Sequence, residues 1–306
     1  MSTARHAGPR PRVGVVIVNH NQKEVLRACL KSWRKVRYPR LTLLVSDDVS
    51  TDGAPEMVRR SFPGVRLVRL ERKGHFTGAS NAGLKALAGD HDFLFLGNND
   101  TEVEPDILDH LVAAALEDPK RSVLAPKILF RDRPDLIWQA GFYMHPLLGI
   151  TGDVGFKKRD DGSFDRPNEP DYISGCAMFF RVEAVRPLGF FREDLAIHTE
   201  DSDLCYRLRA RGWKLWYVPK ARLYHRVSLT MGEGSPATYY YFTRNMLAFH
   251  SRHRVGPFWP LPLISFLCLA TPAASLRFLL RGRPRGFLEV WRGVADWVRG
   301  RYGIRY

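Results

Sequence analysis

Apolar runs alternate with helical patterns along the first third of the chain. The runs at residues 13–18, 41–45, 65–70 and 93–96 predict four buried strands. Between successive runs, apolar positions recur at three- and four-residue spacing, as they do along one face of a helix. Strands that alternate with helices predict an α/β fold whose first four strands form a parallel sheet covered on both faces.

The pattern is less regular from about residue 124 onward. Short apolar stretches predict further strands, and Leu204, Leu208 and Trp213 indicate a short helix after an acidic cluster. We expect these strands to join a mixed sheet flanked by helices. The predicted organisation is a disordered tail at 1–12, a mixed-sheet domain at 13–251 with halves at 13–123 and 124–251, and a helical tail at 252–306.

Polar side chains follow two of the predicted strands. Asp47 and Asp48 come after the second strand, and Asn99 and Asp100 come after the fourth. The carboxyl ends of parallel strands meet at one edge of a sheet, where ligands of such folds bind, so both clusters are expected on one rim. Polar residues also begin ordinary loops, but two clusters at equivalent strand ends favour a ligand site.

A glycine-containing segment, KGHFTGASNAG, lies between the two clusters and opens the third predicted helix. Gly74 precedes this helix and Asn81 lies within it. The free backbone amides and the dipole at such a helix start suit an anionic ligand, although a simple turn needs none.

The chain is basic, with a formal net charge of +15 over 306 residues. Residues 252–306 contain ten Arg and two acidic residues, a net +8, so the charge is concentrated in the tail. Charge of this sign favours phosphate, anionic lipid or nucleic acid as a partner. The four cysteines are scattered and form no CxxC pair, which indicates a reducing compartment.

The predicted tail combines an apolar stretch with a basic amphipathic helix. Residues 258–276 carry no charge, yet their three prolines favour an interfacial or re-entrant segment over a straight helix across a bilayer. Farther on, apolar residues at helical spacing lie among arginines, which suits a membrane interface. These residues are Phe287, Val290, Trp291, Val294, Trp297 and Val298. The alternative is that this stripe packs against the rest of the protein.

The order of short motifs resembles that of the family 2 glycosyltransferases, and it is most similar to the bacterial rhamnosyltransferase-like enzymes of cell-surface polysaccharide assembly. The motifs are VGVVIVNHN, CLKSW, LLVSDDVSTDG, GASNAG, FLGNND, SGCAMFFR, TEDSDLCYRLRARGWKLWYVP and YYYFTRN. They run from about Val13 to His250, and their full order is more specific than any one of them. The resemblance implies a GT-A fold and a nucleotide-sugar donor.

The resemblance also implies which residues bind the donor. Asp47 matches the family's acid that holds the nucleobase, although Asp48-Val49 stand where the family often has Asn-Gly. The other residues expected around the nucleotide sugar are Asn19, Asn21, Asp48, Gly74, Asn81, Asn99 and Asp100.

Asn98-Asn99-Asp100 stands in the place of the family's metal-binding DxD motif, with Asn as its first residue. Asp100 is therefore the expected ligand for Mn²⁺ or Mg²⁺, which bind oxygen and neutralise a diphosphate. His225 matches a further metal ligand of the family, although a lone His is more often structural. With a single carboxylate the protein would hold the metal weakly, and the substrate would supply much of the coordination.

Asp201 matches the family's catalytic base, and Glu200 beside it completes the expected catalytic pair. An alcohol needs a base to take its proton before it attacks, and a carboxylate can do this. The implied reaction is one displacement that inverts the anomeric carbon through an oxocarbenium-like transition state. The dipole of a helix also favours acids at its start without any catalytic role. Ser174, Gly175 and Cys176 are expected near the acceptor.

The sequence thus predicts an inverting, metal-dependent glycosyltransferase. Its expected donor is a dTDP- or UDP-sugar, with rhamnose suggested by the resemblance, and its expected acceptor is a glycan or lipid-linked glycan. We expect a cytoplasmic protein, peripheral on an anionic membrane surface at the inner face of the plasma membrane, with no nucleic-acid partner. Arg244 is expected either to meet a phosphate or to form a structural ion pair.

Two other functions stay open at this point. A basic, non-catalytic module that binds nucleic acid or membrane suits the charge, but the acidic rims would repel a phosphate backbone. A nucleotidyltransferase would also use acids at strand ends with a metal, and it would release pyrophosphate.

Overall fold

The structure is a computed structural model that describes residues 9–145, 147–149, 151–227, 235–254 and 258–305. Within these ranges a mixed sheet of nine strands is flanked by helices, which confirms the predicted fold class. The first eight residues of the predicted disordered tail lie outside the described residues.

The strands alternate with helices through the first half of the chain. The strands are β1 (Val13–Asn19), β2 (Leu41–Asp47), β3 (Arg66–Arg69), β4 (Phe93–Asn98), β5 (Thr101–Val103), β6 (Arg121–Phe130), β7 (Ile137–Gln139), β8 (Phe142–Met144), β9 (Thr151–Asp153), β10 (Ala177–Arg181) and β11 (Lys214–His225). The helices are α1 (Lys23–Trp33), α2 (Ala54–Ser61), α3 (His75–Leu87), α4 (Ile107–Glu117), α5 (Val182–Val185), α6 (Glu200–Arg209), α7 (Pro236–His253), α8 (Pro260–Ser265), α9 (Thr271–Leu280) and α10 (Pro284–Val298).

The four strands predicted from the first apolar runs are confirmed as neighbours in the order β3-β2-β1-β4, all parallel. In this register Asn19 pairs with Asp47, and Val18 pairs with Asn98. The polar residues that follow β1, β2 and β4 therefore begin at the same edge of the sheet, as predicted.

The sheet continues without a break into the second half of the chain. Strand β10 runs antiparallel between β4 and β6, β11 lies parallel to β6, and β5 pairs antiparallel with the end of β11. One sheet therefore joins the predicted halves at 13–123 and 124–251.

The apolar side chains form one large core on each face of the sheet. Alternate residues of β1 enter opposite cores: Val15 and Ile17 pack with α1, α2 and α4, whereas Val16 packs with α3 and α6. This alternation follows from the two-residue period of a strand.

The apolar stretch of the tail forms a single helical rod, Pro260–Leu280, in which α8 and α9 are joined by a π-helical turn at Phe266–Ala270. Pro272 cannot donate a backbone hydrogen bond to the preceding turn, and a wider turn accommodates this loss. The backbone amide and the hydroxyl of Thr271 both donate to the Phe266 carbonyl, the hydroxyl at 2.9 Å, so this wide turn is closed by hydrogen bonds. The prolines therefore do not end the helix.

By length and composition, this rod is the one helix among the described residues able to cross a membrane, with a mean hydropathy of 1.8. Of its most apolar 18-residue stretch, only 22% is buried inside the protein. Most residues of this stretch are therefore not covered by the rest of the described chain.

Helix α10 packs against α7. It does so through part of the apolar face, at residues 287–298, that the sequence predicted to lie at a membrane interface. A Cβ on Gly293 would lie 2.7 Å from the Tyr240 carbonyl oxygen, so the two backbones are in close contact. Val294 and Trp297 pack on the cluster around Met246, whereas Trp291 and Val298 stay exposed. The alternative, that the stripe packs on the rest of the protein, is thus correct for part of this helix.

Candidate active site

The floor of the candidate site is a buried hydrogen-bond network at the ends of β1, β2 and β4. The Asn19 amide donates to Asp47 Oδ1 and to Ser50 Oγ (both 3.1 Å), and it accepts from the Asn99 amide (2.6 Å). The Ser50 backbone amide donates to Asp47 Oδ2 (2.9 Å). Asn19, Asp47 and Asn99, three of the residues predicted to bind the donor, therefore lie together at one rim, and their binding role stays a prediction.

Arg69 joins this floor from the end of β3, and the sequence analysis missed it. Its Nε lies 3.7 Å from Asp47 Oδ2, and its guanidinium also donates to the Ser50 carbonyl (2.8 Å). The side chain is 42% exposed, so it offers a cation at the surface of the site. Its position at the end of a parallel strand is the signal that could have indicated it.

The segment after β2 ties the glycine-containing loop to this rim. Asp48 Oδ1 accepts from the Gly74 amide (2.7 Å), and the Asp48 amide donates to the Asn19 carbonyl (2.8 Å). The Gly74 amide is therefore not the free anion donor that the sequence predicted, because it is already bonded. Asn21 is exposed and accepts from the Thr51 amide (2.7 Å).

Asn81 has a structural position in this fold. Its amide nitrogen donates to the Phe191 carbonyl (2.9 Å) and to Glu193 Oε1 (3.0 Å), and its oxygen accepts from the Phe191 amide (3.0 Å). All polar atoms of this buried side chain are therefore engaged by the segment before α6. The expected contact between Asn81 and the nucleotide has no support in this geometry.

Asp100 and His225 meet because β5 pairs with the last residues of β11, with His225 opposite Thr101. The His225 Nε2 lies 3.2 Å from Asp100 Oδ1, and both residues are buried. Asp100 Oδ1 makes no aligned hydrogen bond within the described residues, and neither does His225 Nδ1. Burial lowers the pKa of His225, but the neighbouring Cys176 and Asp100 outweigh this and raise it to about 10. The raised pKa favours a protonated imidazole, and a metal that binds this ring would have to displace that proton.

This donor set fits a divalent metal that is shared with an anionic substrate. It provides one carboxylate and one imidazole. Both groups bind Mn²⁺, and the carboxylate also binds Mg²⁺. Within the described ranges, no group of three or more His, Cys, Asp or Glu side chains forms a complete metal site. The protein therefore supplies part of a coordination sphere and leaves the rest to a ligand such as a diphosphate.

The backbone of residues 174–176 bridges the Asp100 corner and the acidic start of α6. The Cys176 carbonyl accepts from the backbone amide of Asn98 (3.1 Å). The backbone amide of Gly175 donates to Asp201 Oδ2 (2.9 Å). A Cβ on Gly175 would lie 3.0 Å from the Phe76 ring and 3.5 Å from Glu200 Oε1. Ser174 completes this turn, since its hydroxyl accepts from the Cys176 amide (3.3 Å). The predicted metal corner and the predicted catalytic pair are thus connected through one turn.

Glu200 and Asp201 begin α6 and have different surroundings. Burial, followed by the charges of Asp201 and Asp203, raises the pKa of Glu200 well above its ordinary value, and Glu200 Oε2 has no hydrogen-bond partner among the described residues. Burial also raises the pKa of Asp201. The Gly175 and Ser202 backbone amides donate to its carboxylate and offset part of this rise. The environment therefore favours a proton on Glu200 and charge on Asp201, which separates the two roles.

The loop before this pair has a strained backbone. Ala196, His198 and Thr199 all have positive φ angles, of 62°, 66° and 71°. A β-branched residue rarely adopts this conformation, and such strain persists only where surrounding contacts enforce it. His198 Nε2 and Thr199 Oγ1 are buried without hydrogen-bond partners among the described residues, so polar atoms gather beside Glu200. The sequence analysis did not single out either residue.

Arg244 and Asn245 of α7 hold this strained loop. The Asn245 amide donates to the carbonyls of Leu195, Ile197 and His198 at 2.8–2.9 Å. The Arg244 guanidinium also donates to the Leu195 carbonyl (3.2 Å), and it is almost completely buried. Of the two expected roles of Arg244, the structural one agrees with these contacts, although its described partners are backbone carbonyls, the Asn245 side-chain oxygen and the Tyr240 hydroxyl, and not a carboxylate.

We expect Asn245→Ala to lower kcat by about tenfold or more and to leave the KM for donor almost unchanged, because a small misplacement of reacting groups slows chemistry. The loss of buried donors should also lower the free energy of unfolding by about 2 kcal/mol. Asn81→Ala is the matched control, since it removes a similar buried amide. Steady-state kinetics and thermal unfolding of both variants check this prediction, and wild-type kcat in Asn245→Ala would contradict it.

Comparison with known proteins agrees with this geometry. Residues 14–186 match the family model described as glycosyl transferase family 2. The chain is 27% identical over 247 residues to N-acetylglucosaminyl-diphospho-decaprenol L-rhamnosyltransferase of Mycobacterium tuberculosis, covering 74% of this chain and 79% of that protein. It is 22% identical over 215 residues to poly-β-1,6-N-acetyl-D-glucosamine synthase of Staphylococcus aureus, covering 70% of this chain and 49% of that protein.

Solved structures share the fold. A mannosyltransferase from Pyrobaculum calidifontis in complex with GDP-Man and Mn²⁺ superposes with a TM-score of 0.60 at 17% identity, covering 95% of this chain and 88% of that one. TarS from S. aureus in complex with UDP gives a TM-score of 0.60 at 17% identity, covering 94% and 82% of the two chains. These similarities support the fold, and the site residues rest on the contacts described above.

Proposed function

The chain belongs to glycosyl transferase family 2, and from this premise we propose that it transfers a sugar from a nucleotide-sugar donor to an acceptor hydroxyl with inversion at the anomeric carbon. The observation that carries the proposal is the hydrogen bond from the Gly175 amide to Asp201, in a turn whose next residue bonds to the Asn98 segment. This contact supports a carboxylate base at Asp201 and a diphosphate-binding corner at Asp100, on the two sides of that turn.

The donor would lie along the rim formed by β1, β2 and β4. The nucleobase and ribose would face the floor around Asp47, and the exposed Arg69 would be available to an anionic group of the donor. The diphosphate would lie at the corner formed by Asp100 and His225. A divalent cation bound there would neutralise the charge that develops on the leaving nucleoside diphosphate.

Asp201 would act as the base. It takes the proton of the acceptor hydroxyl as that oxygen attacks the anomeric carbon, and the bond from this carbon to the diphosphate breaks in the same displacement. The Gly175 and Ser202 donors orient the carboxylate, and Glu200, as the more easily protonated neighbour, limits the negative charge beside it. No enzyme nucleophile is needed, which gives the inverted product.

The M. tuberculosis relative is named for transfer of rhamnose to a lipid-linked sugar diphosphate. By this similarity we propose a dTDP- or UDP-sugar as donor, with dTDP-rhamnose first, and a glycan linked to a lipid as acceptor. Mn²⁺ is slightly favoured over Mg²⁺ because an imidazole is part of the corner.

Release of free nucleoside diphosphate from a panel of dTDP-, UDP- and GDP-sugars tests this function. We expect release from one donor, dependent on Mn²⁺ or Mg²⁺ and abolished by EDTA, with slow hydrolysis in the absence of acceptor. Release of pyrophosphate would support the nucleotidyltransferase instead. No release and no donor binding, together with salt-dependent binding of duplex DNA, would support the nucleic-acid module.

We also propose that the tail docks the protein on an anionic membrane from the cytoplasmic side. The rod Pro260–Leu280 presents leucines and isoleucine that are half exposed or more, including Ile264 (53%), Leu276 (56%) and Leu280 (79%). Seven arginines follow or adjoin this surface, at 277, 281, 283, 285, 292, 299 and 301. Apolar burial together with attraction to anionic lipid is the pattern of an interfacial anchor.

The double variant Ile264→Glu/Leu276→Glu should lower binding to anionic vesicles by about tenfold or more, because each buried aliphatic side chain contributes about 1.5–3 kcal/mol. Co-sedimentation of the full chain measures this effect. The variant Ala113→Glu/Phe156→Glu adds the same charge at other exposed positions and should bind almost as wild type. Equal loss in both variants would show that net charge, and not this surface, determines binding.

A further inference from the structure

A cavity of about 350 Å³ lies between α6, α7, the start of α8 and the end of β8. Its volume is within the range of ligand pockets, which are mostly apolar with a few polar groups. Aromatic and aliphatic side chains form about half of the walls, and the polar lining residues are Arg209, Asp171, Ser202, His145 and His250. The residues that define it are Met144, Tyr172, Tyr206, Arg209, Phe249 and Pro262.

One wall of this cavity adjoins the proposed base. Ser202 lines the cavity, and its amide and hydroxyl lie 2.7 and 3.3 Å from Asp201 Oδ1. Ser202 therefore connects one wall of the cavity to the carboxylate that would meet the acceptor hydroxyl.

The opposite wall adjoins exposed apolar surface. A Cβ on Gly149 would lie 2.6 Å from the His250 ring and 2.8 Å from Pro262, so the loop after β8 rests directly on the first turn of α8. Leu147 and Leu148 of this loop are 45% and 38% exposed, and Leu261 beside Pro262 is 46% exposed. The cavity is thus close to the surface that we propose lies on a membrane.

The charges around the cavity are largely compensated. Arg209 donates to the carbonyl and the carboxylate of Asp171 (3.2 and 3.3 Å). His250 is held against the Gly149 carbonyl (3.2 Å), and burial lowers its pKa to about 4, so the ring is neutral. A near-neutral aromatic space is suited to an apolar chain more than to a polyanion.

We propose that this cavity binds the part of the acceptor's lipid chain nearest its sugar, while the sugar hydroxyl faces Asp201. The inference rests on the proposed function, because it assigns a site to the acceptor of that reaction. The chain would pass from the surface of Leu147, Leu148 and Leu261 past Pro262 and Phe249. Recognition of the acceptor would then depend on its lipid as well as on its sugar.

Two synthetic probes test the cavity by calorimetry without donor: N-acetylglucosamine diphosphate carried on a farnesyl chain, and the same sugar diphosphate as its methyl ester. We expect the farnesyl probe to bind at least about tenfold more tightly, equivalent to burial of about two methylene groups. Ala210→Trp, which fills the cavity from the end of α6, should remove most of this difference. Ala113→Trp, on the exposed face of α4, should retain it.

Equal affinity for the two probes, or an unchanged chain preference in Ala210→Trp, would overturn the proposal. Thermal unfolding shows whether Ala210→Trp is folded, and the smaller Ala210→Leu should give a partial effect in the same direction. Because both probes report binding in the absence of donor, this result is separate from the release assay. If the protein releases nucleoside diphosphate but binds both probes equally, the proposed function would stand and the proposed lipid site would be wrong.

Discussion

Asp201→Asn lowers kcat by about a hundredfold or more, with little change in donor affinity. The size follows from the contribution of a positioned general base, about 10²–10⁴-fold. Asparagine keeps the size of the side chain, and its oxygen can still accept from the Gly175 amide, so the fold should persist. The amide cannot take the acceptor proton, and turnover with saturating donor and acceptor measures the loss.

Asp203→Asn is the matched control for this variant. Asp203 lies on the same helix but is paired with Arg207 and His253, both at 2.8 Å. Its loss should reduce the free energy of unfolding and leave kcat within about threefold of wild type, because it touches no proposed reacting atom. If both variants lose activity equally, the effect belongs to the stability of α6 and not to proton transfer.

The pH dependence of kcat/KM follows from the same residue. Asp201 must be ionised to accept a proton, and its pKa is raised, foremost by burial. Activity should therefore fall with decreasing pH through a value above the ordinary Asp pKa of about 4. An acid limb at or below that value would show that another group acts as the base.

Asp100→Ala is expected to lower kcat by about a hundredfold or more, equivalent to about 3 kcal/mol, because it removes the carboxylate proposed to bind the metal. The apparent affinity for Mn²⁺ in the presence of a nucleoside diphosphate should fall as well. Calorimetric titration with Mn²⁺ measures this directly, without turnover. Glu102→Ala is the control, since Glu102 is two residues away and is paired with Arg131 at 2.6 Å.

A loss of activity in Asp100→Ala with unchanged Mn²⁺ binding would place the metal elsewhere. It would also leave the Asp100–His225 contact as a structural ion pair, which was the competing interpretation of the lone histidine.

The parallel part of the fold could be predicted because its signals are local. The runs at 13–18 and 93–96 carry enough apolar residues to define strands, and the polar residues after them mark strand ends. The pairing Asn19 with Asp47 then follows from the parallel order. The residues that lie at this rim could therefore be named, although not their hydrogen bonds.

Other parts of the site depend on contacts between distant segments. Asp100 meets His225 only because β5 pairs with β11, and neither short strand has a pattern that shows its partner. The hydrogen bonds from Asn245 to the loop at 195–198 join residues that are about fifty positions apart in the sequence. Resemblance to a family named Asp100 and His225, whose roles stay predictions, whereas Asn81 and Gly74 matched a motif and are engaged within the protein.

In the tail, periodicity could not distinguish between two apolar environments. A helix that packs on α7 and a helix that lies on lipid both repeat apolar residues every three to four positions. Small residues were the better indicator, because Gly293 allows contact with the Tyr240 backbone and shows which face of α10 is packed.

The most direct test of the account is a crystal structure with the nucleoside diphosphate of the active donor and Mn²⁺, with the metal located by its anomalous scattering. We expect the metal beside the Asp100 carboxylate and the His225 ring, the diphosphate bound to it, and the nucleobase against the rim of Asp47. A metal and nucleotide bound elsewhere, with this rim empty, would contradict the proposed donor site.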